Sequence, residues 1–309
     1  MSSDPDDGGD GGFFKDADQL NQMVSDERAT DTRCVSSKDD AKAVVDSFRS
    51  STAESPWGSL DRSEVADRLA DLIDNPRHTQ QGDLNLCGPA SFMCIWNARD
   101  PVAFAKYATR LFDTGKGAIG RMTVSPSSDL MNQDYADMKT RMTNVVSPQA
   151  DWMVLGALRN STDVFWQGTF SGDPKQGLSA MTRPEEVASW LQAAGIFAKV
   201  SNEANWATIK GLPHASGLIQ AEGTDIVFLI NANMLKAAEG LTKDGSWIAN
   251  QFPNHFVVLV NEVVPSADQT TVQLSFWTWG GTMLNLKVPG KDFIDNYYGA
   301  IVARLPPAN

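Results

Sequence analysis

The sequence predicts an α+β protein in which helices dominate the first half of the chain and strands the second. Up to residue 194, apolar residues recur every three or four positions, and Pro or Gly residues end these runs. From residue 196, short runs rich in β-branched and aromatic residues replace the helical spacing. Helices and strands that occupy separate parts of a chain are typical of α+β proteins.

The predicted helices have recognisable start and stop signals. Asp61 suits the N-terminus of a helix over residues 60–73. The helix that starts at Cys87 must end by Asp100, because Pro101 disfavours helical geometry in the residue before it. Further helices are predicted over residues 40–48, 101–114, 150–159 and part of the polar stretch 125–142.

A change of period marks the passage from helices to strands. Thr182 and Glu185 form a capping box ahead of a helix that runs to Ala194. The β-branched and aromatic runs that follow predict strands over residues 197–200, 225–231, 255–264, 271–279, 283–288 and 300–304.

Composition favours one two-lobed domain preceded by a tail. With 309 residues and 42% hydrophobic content, the chain can bury a sizeable core. The domain is predicted over residues 56–309, and residues 1–55, rich in Asp, Ser and Gly, are expected to be an acidic, largely disordered N-terminal tail. A solvating leader is the simplest interpretation of the tail. A targeting segment, an inhibitory segment and cleavage at the diglycine pairs 8–9 or 11–12 stay open.

The charge of the chain limits its partners. The formal net charge is −12 and the pI is near 4.7, which opposes nonspecific binding to nucleic acid or to an anionic membrane surface. No apolar stretch has the length of a membrane span, and acids occupy the positions where a signal peptide has a basic start and an apolar middle. We therefore expect a protein that stays in the cytoplasm or is secreted without a conventional signal peptide.

The three cysteines, Cys34, Cys87 and Cys94, do not form the pattern of a disulfide framework. Cys94 follows Cys87 by two helical turns, which is too far for a bond between them. Cys94 is predicted to fill the core, and Cys34 to be an exposed thiol. Two cysteines at this spacing and a remote histidine do not make a zinc ligand set, so neither a metal nor a cofactor is expected.

The run 86–92, Leu-Cys-Gly-Pro-Ala-Ser-Phe, predicts a thiol at the start of a helix. Gly88 permits close approach of a substrate, and Pro89 is tolerated only in the first helical turn. Unpaired N–H groups and the positive end of the helix dipole favour a thiolate there. Cys87 is therefore a candidate nucleophile, although a small core residue at a helix start is an open alternative.

Gln81 lies six residues before Cys87. Its amide can fold back beside the sulfur and join the Cys87 backbone N–H in stabilising an oxyanion. Taken alone, Gln81 is one polar loop residue beside Gln80, Asp83 and Asn85. The oxyanion role depends on its combination with the cysteine and a distant histidine.

The base must be His78, His214 or His255, because the chain has no other histidine. His78 and His214 lie in proline-containing stretches that are predicted to be loops. His255 introduces the apolar run 256–260, so a buried strand is expected to hold its ring. A neutral histidine there can take the thiol proton and return it to a leaving group. A hydrogen-bonded core histidine is the alternative.

Gln81, the run 87–91 (Cys-Gly-Pro-Ala-Ser), His255 and the Trp279-Gly280 pair together resemble the papain-like cysteine peptidase superfamily. The likeness is greatest to bacterial branches with Cys-Gly-Pro/Ala cores, such as double-glycine peptidases and secreted cysteine protease effectors. The resemblance implies a helical lobe carrying the cysteine, an antiparallel sheet lobe carrying the histidine, and a substrate cleft between them. It rests on short motifs, and the 168-residue separation of cysteine and histidine implies an inserted segment.

The sequence departs from the family pattern at the residue that orients the imidazole. The family has an Asn or Asp there, often just before the Trp-Gly pair, and the predicted strand 271–279 contains neither. Thr278 precedes the pair, and its hydroxyl or a backbone carbonyl is the candidate substitute. A dyad of Cys87 and His255 screened by Trp279 and a triad completed by Thr278 both stay open.

The resemblance implies hydrolysis of a peptide or isopeptide bond through an acyl-enzyme, so the expected partner is a polypeptide substrate. Papain-like acyl transfer, as in phytochelatin synthase-like or transglutaminase-like proteins, amidase activity and a catalytically inactive binding module are alternatives. A bacterial effector or toxin role, with an immunity protein or chaperone as a further partner, is an expectation by analogy alone.

Overall fold

The computed structural model describes residues 33–142, 145–162, 169–174, 176, 181–218, 221–240 and 252–308. Helices dominate the first part of this chain and strands the second, so the predicted α+β class is confirmed. The helices are α1 (Lys38–Arg49), α2 (Arg62–Asp74), α3 (Cys87–Arg99), α4 (Pro101–Thr114), α5 (Ser128–Met131), α6 (Tyr135–Arg141), α7 (Gln149–Ser161), α8 (Pro184–Ala193), α9 (Leu212–Ser216), α10 (Asn233–Ala238) and α11 (Gly290–Asn296).

The strands follow the predicted runs closely, with ends displaced by a few residues. They are β1 (Gly117–Ile119), β2 (Met122–Val124), β3 (Lys199–Asn202), β4 (Thr224–Ile230), β5 (His255–Leu259), β6 (Val264–Pro265), β7 (Thr271–Thr278), β8 (Gly281–Pro289) and β9 (Tyr297–Arg304). The β1–β2 hairpin was not predicted, because two three-residue strands beside a glycine carry little periodicity.

Local signals fix the ends of the long helices. The Asp61 side chain accepts a hydrogen bond from the backbone N–H of Glu64 and so caps α2. Asp100 closes α3, and Pro101 opens α4, as the sequence predicts. Gly115 ends α4 with a φ of 68°, a left-handed conformation that glycine adopts without strain.

The start of α8 corrects one prediction. Pro184 takes the first helical position, where its fixed φ and missing N–H are favourable, so the N-cap is Arg183. Glu186 accepts a hydrogen bond from the Arg183 backbone N–H at 2.7 Å. The predicted capping box of Thr182 and Glu185 is therefore wrong by one residue.

The folded part of the chain begins before residue 56. Helix α1 buries Ala41, Val45 and Phe48 against α2 and α4. The Arg62 guanidinium lies 4.6 Å from the centroid of the Phe48 ring and fastens the end of α1 to the start of α2. The segment predicted as a tail thus includes a packed helix, and the diglycine pairs at 8–9 and 11–12 lie outside the described residues.

Within the described residues, seven strands form one curled antiparallel sheet. The order is β3-β9-β4-β5-β7, and β7 also pairs with β8 along its length and with the short β6. His255 lies opposite Ile230 of β4, and Val258 lies opposite Trp277 of β7. Strand β5 is therefore central, with a partner on each side.

Each face of the sheet has its own hydrophobic core. Phe256 and Val258 of β5 join the core that the helices form, whereas Val257 and Leu259 join a second core on the opposite face. This alternation explains why the run that follows His255 is continuously apolar: both faces of the strand are buried.

The predicted strand 255–264 is interrupted after Leu259. The Asn261 side chain accepts a hydrogen bond from the backbone N–H of Ser275 at 2.6 Å, which takes the place of a strand-to-strand bond. Pairing with β7 resumes at Val264. None of the helices in the described ranges has the combined length and apolar character needed to cross a membrane.

Candidate active site

Cys87 is the first residue of α3, so the prediction of a thiol at a helix N-terminus is confirmed. Asn85, with a φ of 54°, turns the chain into the helix, and Leu86 is the N-cap without a side-chain hydrogen bond. Cys87 is half-buried, whereas every later residue of α3 except Ala98 is buried. The helix is therefore central, and only Cys87 and Ala98 of its residues are not buried.

Gly88 is in tight contact with the segment that precedes α8. A Cβ built on Gly88 would lie 2.6 Å from the Cβ of Thr182, so a larger residue here would push the two segments apart. Thr182 is buried, and its hydroxyl has no hydrogen-bond partner within the described part of the chain. This contact fixes the backbone beside Cys87.

His255 is held by two groups from the end of β7. Its Nε2 lies 2.5 Å from the Thr278 hydroxyl oxygen. Its ring stacks on that of Trp279, with centroids 4.2 Å apart and an angle of 17° between the planes. The side chain is 1% exposed, and burial lowers the pKa of His255 to about 3. The imidazole is therefore neutral at pH 7.

Thr278 thus lies where the sequence placed the orienting residue, at the end of β7 and in contact with the imidazole. Trp279 and Gly280 have φ values of 46° and 82°, and this left-handed turn leads directly into β8. A hydroxyl can donate to or accept from Nε2, so Thr278 is compatible with either tautomer of the ring. An Asn or Asp at this position would fix the tautomer more firmly.

Gln81 is buried, at 4% exposure, in the loop that leads into α3. Its side chain forms no hydrogen bond with any residue that the structure describes. Its neighbour Gln80 packs against Gly280, where a Cβ would lie 2.9 Å from the Gln80 Nε2. The Gln80 amide oxygen also accepts from the Gly82 backbone N–H at 3.4 Å, so Gln81, and not Gln80, has an amide without a hydrogen bond to a described residue.

The segment 277–280 joins the base to the loop ahead of the cysteine. The Trp277 indole donates to the backbone carbonyl of Arg77 at 2.6 Å, and Gly280 contacts Gln80. The two residues between them hold His255. Helix α3 also packs against β5, so the elements that carry Cys87, His255, Gln81 and Thr278 are direct neighbours.

A buried ion pair lies behind the Gln81 loop, and the sequence analysis missed it. The Asp151 carboxylate, on α7, accepts from Arg68 Nε at 2.7 Å and from the backbone N–H of Gln80 at 2.6 Å. Its side chain is 0% exposed. Arg68 also donates to Asp71 at 2.6 Å. No local pattern links residues 83 positions apart, so only the fold shows this pair.

The other two histidines have partners of their own. His78 ends a 3₁₀ helix (Pro76–His78), and its Nδ1 lies 2.9 Å from an Asp71 carboxylate oxygen. His214 lies in α9 and not in the predicted loop, with Nδ1 2.8 Å from the Tyr297 hydroxyl. Both rings belong to local polar contacts, which leaves His255 as the histidine on the strand beside α3.

The remaining cysteines have the surroundings that the sequence predicted. None of the three cysteines forms a disulfide; Cys34 is exposed and Cys94 is buried. Burial raises the pKa of Cys94 to about 12. In the described ranges, no group of three or more His, Cys, Asp or Glu side chains is arranged to hold a metal ion.

Comparisons with protein-family models, with curated proteins and with solved structures found no match to this chain.

Proposed function

We propose that the chain is a papain-like cysteine peptidase that cleaves a peptide or isopeptide bond through an acyl-enzyme on Cys87. One observation carries the proposal. His255 is held between the Thr278 hydroxyl and the Trp279 ring, on the strand that packs against the helix whose first residue is Cys87. A thiol at a helix N-terminus and an oriented imidazole on a neighbouring element are the requirements of this chemistry.

In the proposed reaction, His255 takes the thiol proton, and the sulfur forms a bond to the substrate carbonyl carbon. Because Thr278 occupies Nε2, we assign the proton exchange to Nδ1. The carbonyl oxygen becomes an oxyanion, which accepts from the Gln81 amide and the Cys87 backbone N–H. Collapse breaks the C–N bond, and the amine leaves with the proton from His255. Water then attacks the thioester, releases the acid and restores the thiol.

The low pKa of His255 bears on the rate. A neutral imidazole is the form that accepts a proton, but a base with a pKa of about 3 does so weakly. The Trp279 face stacked on the ring and the Thr278 oxygen both stabilise the imidazolium as it forms. We therefore expect slow turnover compared with an enzyme whose histidine is oriented by Asn or Asp.

A thiol-directed probe tests the proposal. Biotinylated iodoacetamide at limiting concentration is expected to label Cys87 in the folded protein. Cys87→Ala should abolish this labelling, Cys94→Ala should preserve it, and Cys34→Ala should remove only the signal of the exposed thiol. Equal labelling of all three cysteines would count against an activated nucleophile. That result would favour the inactive binding module, which the low pKa of His255 also favours.

The fate of the acyl-enzyme is a separate question. Release of free acid alone is expected for a peptidase or an amidase. Formation of an amide when glycinamide is added would assign acyl transfer instead, because the amine would then compete with water for the thioester. Product analysis by mass spectrometry, with and without the amine, separates the two.

The substrate can be sought with the Cys87→Ala protein, which retains the proposed cleft without the nucleophile. A captured polypeptide that wild-type protein cleaves would support the proposal and name the bond. We further propose, by analogy alone, that the protein acts as a bacterial effector or toxin, either in the cytoplasm or after secretion without a conventional signal peptide. An immunity protein or chaperone that binds it would be a second partner.

A further inference from the structure

The loop that carries Gln81 is fixed on both sides by one segment of the chain. Before Gln81, the Gln80 backbone N–H donates to Asp151, and the Gln80 carbonyl accepts from the Ser147 hydroxyl at 3.0 Å. After it, the backbone N–H of Asp83 donates to the Val145 carbonyl at 3.2 Å. Residues 145–151 therefore act as a clamp around Gln81, which itself makes no hydrogen bond with a described residue.

Gly82 shows how tightly the clamp closes. Its φ is 59°, and a Cβ at this position would lie 2.5 Å from the backbone nitrogen of Ser147 and 2.7 Å from the Val145 carbonyl oxygen. The loop and the clamp thus touch through their backbones, with no side chain between them. A shift of Asp151 or Ser147 would be transmitted directly to Gln81.

The Asp151 carboxyl holds this arrangement through three hydrogen bonds in a buried place. Burial raises the pKa of this carboxyl, and Arg68 opposes the rise with two donors at 2.7 and 3.2 Å. The third donor to the same carboxylate is the Gln80 N–H, at 2.6 Å. Charge-assisted bonds of this kind are shorter and stronger than neutral ones.

We propose that Asp151 is a positioning residue that holds the Gln81 amide where it can stabilise an oxyanion next to Cys87. This inference rests on the proposed function. Asp151 acts through the Gln80 backbone and does not touch the reacting atoms. Its loss should therefore weaken reactions that pass through an oxyanion and leave other reactions of the thiol unchanged.

Two reagents distinguish these reactions in a Cys34→Ser background. p-Nitrophenyl acetate acylates a thiol at a carbonyl: the C–S bond forms, an oxyanion appears, and nitrophenolate leaves. Iodoacetamide alkylates at a saturated carbon, displaces iodide and forms no oxyanion. We expect Asp151→Asn to slow acylation of Cys87 by about 10-fold to 100-fold, a part of the 10²–10³ that loss of a whole oxyanion donor costs. Alkylation should keep its rate.

Asp225→Asn is the matched control. Asp225 pairs with Arg99 through two bonds of 2.7 and 2.9 Å, on β4 and far along the chain from the Gln81 loop. The Asp225→Asn substitution also removes one negative charge from an ion pair with an arginine. Acylation and alkylation of Cys87 should both stay at the wild-type rates in this variant. A selective loss of acylation in this variant as well would overturn the assignment to Asp151.

A double variant tests whether Asp151 acts through Gln81. In a Gln81→Ala background, Asp151→Asn should cause no further loss of acylation, because the group that it positions is gone. The inference would be overturned if the double variant lost acylation by the product of the two single losses. It would also be overturned if a folded Asp151→Asn protein were acylated at the wild-type rate. If Asp151→Asn does not fold, Ser147→Ala is the alternative, because it removes only the hydroxyl bond to Gln80. Ser147→Ala should lower the acylation rate by a few-fold, and it should have no effect in the Gln81→Ala background.

The same assay separates this inference from the proposed function. If wild-type Cys87 is alkylated but is acylated no faster than free cysteine, then the hydrolase proposal itself fails. If wild-type Cys87 is acylated rapidly and Asp151→Asn is equally fast, then only the role of Asp151 is lost.

Discussion

Cys87 and Cys94 lie on one helix, two turns apart, and differ in almost every property that governs a thiol. Cys87 is the first residue of α3 and half-buried, beside a loop that carries an uncommitted amide. Cys94 lies inside the helix, is 5% exposed, and has a pKa raised to about 12 by burial. Helix N-termini favour thiolates, whereas apolar surroundings suppress them. Position within one element therefore separates a candidate nucleophile from a core residue.

The same substitution at both positions is the most severe test of this comparison. Cys87→Ser should lower p-nitrophenyl acetate turnover by roughly 10⁴-fold or more, since the activated sulfur is lost. Cys94→Ser should leave turnover within about twofold and reduce the free energy of unfolding by about 1–3 kcal/mol, because it buries a hydroxyl in an apolar site. Steady-state rates and urea unfolding measure the two effects; comparable rate losses would erase the distinction.

The second test removes the base. His255→Gln keeps a hydrogen-bonding side chain near Thr278 but cannot accept the thiol proton, so turnover should fall by roughly 10²–10⁴-fold. His214→Gln is the control, because His214 has a separate partner in the Tyr297 hydroxyl and does not contact Thr278 in any described bond, and turnover should be unchanged. An equal loss in both variants would mean that turnover reports stability and not proton transfer.

A third and smaller effect is expected at Thr278. Thr278→Val keeps the shape of the side chain but removes the hydroxyl that lies 2.5 Å from His255 Nε2. Turnover should fall by about 10-fold, and the free energy of unfolding by about 1–3 kcal/mol, since a buried imidazole nitrogen loses its partner. Thr282→Val, at another buried threonine of the same hairpin, should not change turnover. If it does, the effect of Thr278 is one of packing.

The smallest expected effect is a pH dependence of stability. The pKa of His255 is lowered from 6.5 to about 3. Between these two pH values, His255 binds a proton in the unfolded chain but not in the folded chain. Burial of neutral His255 has no effect on stability above pH 6.5. Below that pH, it lowers the free energy of unfolding by up to about 1.4 kcal/mol for each unit by which the pH falls. Between pH 6.5 and 5, His255→Gln should flatten the fall of the urea midpoint; parallel curves would show that His255 is not buried neutral.

Sequence reasoning succeeded where a local signal fixes the structure. Asp61, Pro101 and Gly115 mark helix ends by their own chemistry, and the observed bounds agree with the predicted ones to within two residues. The prediction at Thr182 was wrong because Pro184 favours the first helical position. The N-cap is therefore Arg183 and not Thr182. Helix α1 was assigned to the tail because polar composition outweighed its buried stripe of Ala41, Val45 and Phe48.

The candidate site was predictable only in part, for a similar reason. Cys87 and His255 stand at the starts of strongly patterned elements, and Thr278 precedes a recognisable Trp-Gly pair. The contact between Asp151 and Gln80 joins residues whose surroundings in the sequence carry no hint of each other. Its only local trace is an acid within an otherwise apolar helical run, a residue type that is seldom buried unless paired.

Helix α1 sets a limit on how far the protein can be trimmed. Proteolytic maturation that stops before Lys38 would keep Ala41, Val45 and Phe48 in place, whereas a cut in residues 50–55 would leave them attached by packing alone. A chain engineered to start at residue 56 would expose the surfaces of α2 and α4 that this helix covers, and would lose the ring beneath Arg62. Shortened forms intended for expression should therefore retain α1.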